Sequence, residues 1–151
     1  MVVSYEAGAL CVAPATAVAY IELTGNATRR AYVREMAMFL NTAVVANKTQ
    51  LGRPAAKAVT PANQFLGQAR DPSDAVGTTQ WSTTWATPPT VPAVAMRQFD
   101  LAGTVGSGVI FTWPADGELV IPSTTGISAL VFWNGSGSTG PAADMYAAWA
   151  E

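Results

Sequence analysis

Apolar residues along this chain come in short runs rich in Val, Ile, Thr, Phe and Trp, the residue types that suit a pleated sheet. Gly and Pro recur between the runs, at 13 and 10 positions, so few windows are long enough for a stable helix. The pattern predicts strands over Ala9–Ala13, Ala17–Leu23, Ala31–Leu40, Ala43–Leu51, Gln80–Ala86, Val94–Leu101 and Ile127–Asn134. Two further runs, Gly108–Trp113 and Glu118–Ile121, flank Pro114-Ala115-Asp116-Gly117, which reads as the turn of a β-hairpin with Gly117 supplying the positive φ. Near the end of the sequence, Met145, Ala147 and Trp149 alternate with Asp144, Tyr146 and Ala148, a period of two that favours a strand over an Ala-rich helix. Tyr32–Phe39 fits an amphipathic helix by propensity, but its flanks look extended and its cap at Thr28-Arg29-Arg30 is weak.

Three segments break the alternation. Arg53–Thr79 carries Pro54, Pro61 and Pro72 and reads as one long surface loop, with room for a helical turn near Ala62–Gln68. Thr87–Pro92, with three prolines, is expected to be stiff and extended, and Gly135–Pro141 to be a flexible polar loop. Together these elements predict an all-β fold: an antiparallel β-sandwich, jelly-roll-like, of about 8 to 10 strands with one long Pro-containing loop. A length of 151 residues gives one domain, residues 1–151.

Composition narrows the function more than any motif does. Charged residues make up 12% of the chain, against roughly 25% in a typical soluble protein, while hydrophobic residues make up 50%. The net charge is −2, so no basic surface is available for nucleic acid or for an anionic membrane. His is absent and Cys occurs once, as Cys11, which removes an imidazole base, a zinc site of His and Cys ligands, and an internal disulfide. The run from Ala7 to Ala19 is not expected to act as a secretory signal, because Glu6 precedes it, Pro14 interrupts it and the first basic residue is Arg29. Synthesis in a cytoplasm is expected.

The remaining candidates for chemistry each have an ordinary structural explanation. Glu35 is a charge inside an apolar run and is read as the partner of a neighbouring Arg rather than as an acid of raised pKa. Asp71-Pro72-Ser73-Asp74 reads as an Asx turn rather than a metal loop, and Gly103–Gly108 lacks the Lys and helix of a phosphate loop. Asn26, Asn47 and Asn134 begin Asn-x-Ser/Thr triplets that matter for glycosylation only in a secreted protein. No catalytic residue, cofactor or metal is expected, and the chain is read as a non-enzyme.

Surface contact is the better prospect. Trp81 and Trp85 have an even separation that puts them on one side of a single strand, among Thr, Ser and Gln, where they suit an interface, a core or a sugar platform. Arg29 and Arg30 in a turn, and Arg53 at the start of the long loop, suit interface ion pairs. A chain this poor in charge cannot dress a free surface with ions, so a subunit held among copies and companions is expected.

The order Ala27–Glu35, Arg53-Pro54, a Trp-containing strand before Pro88-Pro89, Gly108–Pro114, Gly117–Pro122 and Tyr146–Glu151 resembles small β-sandwich structural proteins of tailed bacteriophages, and among them capsid decoration (head-stabilising) proteins. The resemblance implies a virion protein on the capsid surface, a homotrimer that binds and stabilises the major capsid lattice. It transfers no site residue. A tail or fibre-associated protein contacting the host surface, and a carbohydrate-binding β-sandwich module, are the alternatives.

Overall fold

The computed structural model describes residues 2–12, 14–42, 46–123 and 128–151. Among them the strands are β1 (Ser4–Cys11), β2 (Ala19–Thr24), β3 (Ala31–Leu40), β4 (Asn47–Gly52), β5 (Val59–Pro61), β6 (Phe65–Leu66), β7 (Gln68–Ala69), β8 (Gln80–Ser82), β9 (Trp85–Thr87), β10 (Arg97–Leu101), β11 (Gly108–Thr112), β12 (Leu119–Ile121), β13 (Ala129–Asn134) and β14 (Ala143–Ala150), and no helix is present. One antiparallel sheet has the order β11-β3-β14-β1-β7, with β12 also on β3, and the other runs β10-β4-β13-β2-β8-β6. The expected all-β sandwich is observed. Its outermost partners in sequence are neighbours in space, since β1 pairs with β14 and β2 with β13.

Alternation builds the core. Tyr5 and Cys11 of β1 and Met145, Ala147 and Trp149 of β14 point inward and are buried, whereas Glu6, Leu10 and Asp144 point out and are exposed. In β3 the inward set changes parity, from Ala31 and Val33 to Met36, Met38 and Leu40. The change falls where the register with β14 shifts, Ala148 facing Glu35 and Trp149 facing Val33. A bulge at Arg34 therefore turns both Arg34 and Glu35 outward, which is how a charged pair fits inside an apolar run without entering the core. Phe99 closes one side of the sandwich, edge-on to Phe111 at 5.2 Å and to Phe132 at 6.3 Å. Tyr5 stacked on Trp149 at 6.2 Å closes the other.

Several expectations are corrected. Gly108–Trp113 and Glu118–Ile121 do not pair with each other; β11 and β12 both pair with β3, so Pro114–Gly117 is a turn that interrupts one edge rather than a hairpin. Asp116, not Gly117, carries the positive φ, at 72°. The long loop is a folded insertion: its β7 pairs with β1, its β6 with β8 and its β5 with β9. No helical turn forms at Ala62–Gln68, where β6 and β7 lie instead. The strand expected over Gln80–Ala86 is two strands in different sheets, and that expected from Val94 starts at Arg97. Ala13, 43–45 and Ile127, expected in strands, lie outside the described residues.

At one end of the sandwich Asn134, 0% exposed, ties two loops together. Its Nδ2 donates to the carbonyls of Pro14 at 3.2 Å, Ala15 at 3.3 Å and Ser138 at 2.7 Å, and its Oδ1 accepts the Ser136 N–H at 3.0 Å. All three Asn-x-Ser/Thr triplets are local hydrogen-bonded units. Asn26 Oδ1 accepts from Thr28 N at 2.8 Å and Asn47 Nδ2 donates to Thr49 Oγ1 at 2.7 Å. The burial of Asn47 and Asn134 leaves neither amide open to a glycosylating enzyme in the folded state.

Ala17 sits in the loop under Asn134 with φ at 57°, a left-handed conformation that an L side chain resists. Ala17→Gly is expected to raise stability by about 0.5–1 kcal/mol, the relief of that strain less the extra backbone entropy of glycine. Thermal unfolding checks this, and a melting temperature at or below that of the wild type contradicts it.

Candidate interaction surface

The five residues expected at a partner interface are not brought together. Trp81 is 0% exposed, opposite Leu23 on β2, and offers a partner no surface. It is a core residue, and the even spacing that linked it to Trp85 has no meaning across two sheets. Arg53 is half-buried; its Nη2 donates to the Val120 carbonyl at 2.7 Å, bracing the end of one sheet against the other. Arg29 and Arg30 are exposed in the β2–β3 turn, where Asn26 Oδ1 also accepts the Arg29 N–H at 2.8 Å. With Thr28, Tyr32, Ser123 and Glu151 they border a shallow recess of about 370 Å³. Trp85, half-buried, lines a separate apolar groove of about 300 Å³ with Val12, Pro14, Val18 and Pro88.

Glu151 holds the insertion to the sandwich. Its carboxylate accepts the N–H groups of Thr78 at 3.0 Å and Thr79 at 2.7 Å and the Trp149 indole N–H at 3.1 Å. Burial pushes its pKa up, but the hydrogen bonds from Thr78 and Thr79 outweigh burial and hold it below the usual carboxylate range. A depressed folded-state pKa gives stability that is complete above the unfolded value, about 4.3, and is lost as pH falls through the folded value. Glu151→Gln is expected to lower the melting temperature at neutral pH and to flatten its decline below about pH 4.3. An acid limb as steep as that of the wild type contradicts this role.

Several other charged groups have partners within the chain. Arg34 bridges to Glu118 at 3.4 Å, Arg70 pairs with Glu6, and the Tyr146 hydroxyl donates to Glu35. Glu22 is buried, which raises its pKa, and it accepts the Ala58 N–H at 3.2 Å. Burial pushes the Cys11 thiol up to about 12, far from a thiolate nucleophile. No group of three or more acidic or Cys side chains that could hold a metal ion occurs among the described residues. No described helix is long and apolar enough to cross a membrane.

No protein family, curated protein or solved structure matches this chain. The surface has to be read from its own chemistry.

That chemistry is concentrated where no residue-level signal is present in the sequence. The lower half of β1 is covered by β7 at Tyr5 and Glu6, but no described strand lies beside its upper half. Around that half, Leu10 is 57% exposed, Val12 64%, Phe65 43%, Leu66 41% and Val76 54%. A shallow recess of about 430 Å³ runs between Ala7 and Gly8 on one wall and Phe65, Leu66 and Val76 on the other. The one hint in the sequence is negative: residues 7–21 contain no charge.

Proposed function

We propose that this chain is a non-enzymatic structural subunit of a bacteriophage virion, a capsid decoration protein with jelly-roll topology that binds and stabilises the major capsid lattice. The observation that carries the reading is the surface: large apolar side chains stay 41–80% exposed on a body with only 8 basic and 10 acidic residues. A free domain of this size usually carries a denser ionic surface, and exposed apolar area of this kind is what neighbours in an assembly cover. The strand order supports the fold half of the proposal. Taking β1, β2, β3, β4, β10, β11 with β12, β13 and β14 as eight strands, successive strands alternate between the sheets until β4, cross by the insertion to β10, and alternate again. That nested order suits the jelly roll, an architecture used by capsid and lectin domains alike. The carbohydrate alternative required two indoles on one surface, and with Trp81 buried only Trp85 is left for it.

Binding to heads tests the proposal. Purified chain mixed with empty heads of the encoding phage is expected to co-sediment saturably and to raise the temperature at which the heads rupture. Binding to isolated tails with none to heads contradicts the decoration role and favours the tail alternative.

A further inference from the structure

We propose that the open upper half of β1 is a self-pairing edge, through which two copies of this chain join antiparallel about a two-fold axis at Leu10. The hydrogen-bond register identifies the free groups. Val3 and Glu151 exchange bonds at 3.1 and 3.0 Å, so Val3 and every second residue after it, Tyr5, Ala7, Ala9 and Cys11, direct their main-chain groups to β14. The intervening residues face the other way. Ser4 shows this directly, its carbonyl accepting the Arg70 N–H at 2.9 Å, and Glu6 lies opposite Gln68. β7 ends there, and among the described residues Gly8 and Leu10 present N–H and C=O groups to no strand.

Natural sheet edges are normally guarded by charge, proline, a bulge or a covering segment. Other edges of this molecule have such guards: β10 carries exposed Arg97 and Asp100, and the β11–β12 edge is broken by the Pro114–Gly117 turn. The upper half of β1 has none, since no charge lies between Glu6 and Glu22 and the side chains from Gly8 to Val12 are small or apolar. Unpaired main-chain groups select an extended strand as occupant. The neutrality of the segment lets a second copy approach with no like charges opposed.

A second copy also fits by size. With Leu10 opposite its own equivalent, Gly8 of each chain faces Val12 of the other, so the most exposed valine of this segment meets the residue with no side chain. The partner strand stops short of β7, because beyond Val12 the chain leaves the edge at Pro14, which is buried in its own subunit. A stable contact needs about 800 Å² from each partner, more than one short strand supplies. The flanking Phe65, Leu66 and Val76, all exposed beside the recess, add apolar area on both sides of the axis. This inference rests on the assembly reading only in taking a copy of the chain as the occupant.

The test is crosslinking with light scattering. Opposed Cβ atoms in a hydrogen-bonded antiparallel pair are about 5.5 Å apart, too far for an unstrained disulfide but within reach of a short thiol-to-thiol crosslinker. Leu10→Cys is expected to be joined into a covalent dimer in high yield by a short bis-maleimide, and Ile110→Cys, 50% exposed on the opposite edge, to stay uncrosslinked. Native Cys11 is buried and does not compete. Leu10→Lys, folded by circular dichroism, is expected to halve the particle mass. A wild-type oligomer whose mass Leu10→Lys leaves unchanged, with Leu10→Cys no more crosslinked than Ile110→Cys, overturns the edge proposal while the assembly reading stands. A wild type of 15.7 kDa at every concentration overturns both.

Discussion

Asn134→Ala is expected to lower the melting temperature by about 10 °C. The side chain is fully buried and serves the carbonyls of Pro14, Ala15 and Ser138 and the N–H of Ser136 at once. Truncation removes all four bonds at once, at about 0.5–1.5 kcal/mol each, and takes the Ser136 N–H from its acceptor, while the carbonyls of Pro14, Ala15 and Ser138 keep the Gly140 N–H, the Val18 N–H and the Ser136 hydroxyl. Partial hydration at the loop surface brings the expected total to about 3 kcal/mol, and for a domain of this size each kcal/mol moves the midpoint by about 2–4 °C. Asn134→Asp is expected to be worse than alanine at neutral pH, since it sets a carboxylate against three carbonyl oxygens. Circular dichroism melts of both variants check this. A loss under about 3 °C for alanine would mean that the two loops are held by other contacts.

The second large effect is expected at Gly67. A Cβ there would overlap the Trp149 ring, with Cη2 at 2.7 Å, and would lie 2.9 Å from Tyr5 Cβ. Trp149 is 1% exposed and already stacked on Tyr5, so it has nowhere to move, and the insertion backbone must lift instead. Overpacking of this kind costs about 1–3 kcal/mol. Gly67→Ala is therefore expected to destabilise the fold by about 2 kcal/mol. Gly137→Ala, whose added Cβ meets nothing within 4 Å, is expected to be neutral. Urea denaturation separates the two variants, and equal midpoints would contradict the close approach of the insertion to Trp149.

Which parts of this structure were legible in the sequence follows from how local each determinant is. The alternation in β14 needs only its own residues, and it placed Met145, Ala147 and Trp149 inward correctly. The strand break between Trp81 and Trp85 is different. Asn63 Oδ1 accepts the N–H groups of Thr83 at 3.1 Å and Thr84 at 3.0 Å, so a side chain some twenty positions away interrupts what the local pattern continues. The Pro114–Gly117 turn was legible as a turn, but its flanking runs join β3 because β3 is 10 residues long and has room for both. Glu35 was readable as a structural charge, though its partner is the Tyr146 hydroxyl rather than an arginine. An edge cannot be seen in sequence at all, because whether Gly8 and Leu10 have a neighbour depends on where β7 stops.

Multi-angle light scattering over a wide concentration range bears most directly on the central claim, that this neutral, apolar-surfaced sandwich exists to be assembled. The account predicts a discrete particle whose mass is a whole multiple of 15.7 kDa and persists in high salt, since its contacts are apolar and main-chain rather than ionic. A solitary 15.7 kDa species that stays soluble at millimolar concentration would contradict it.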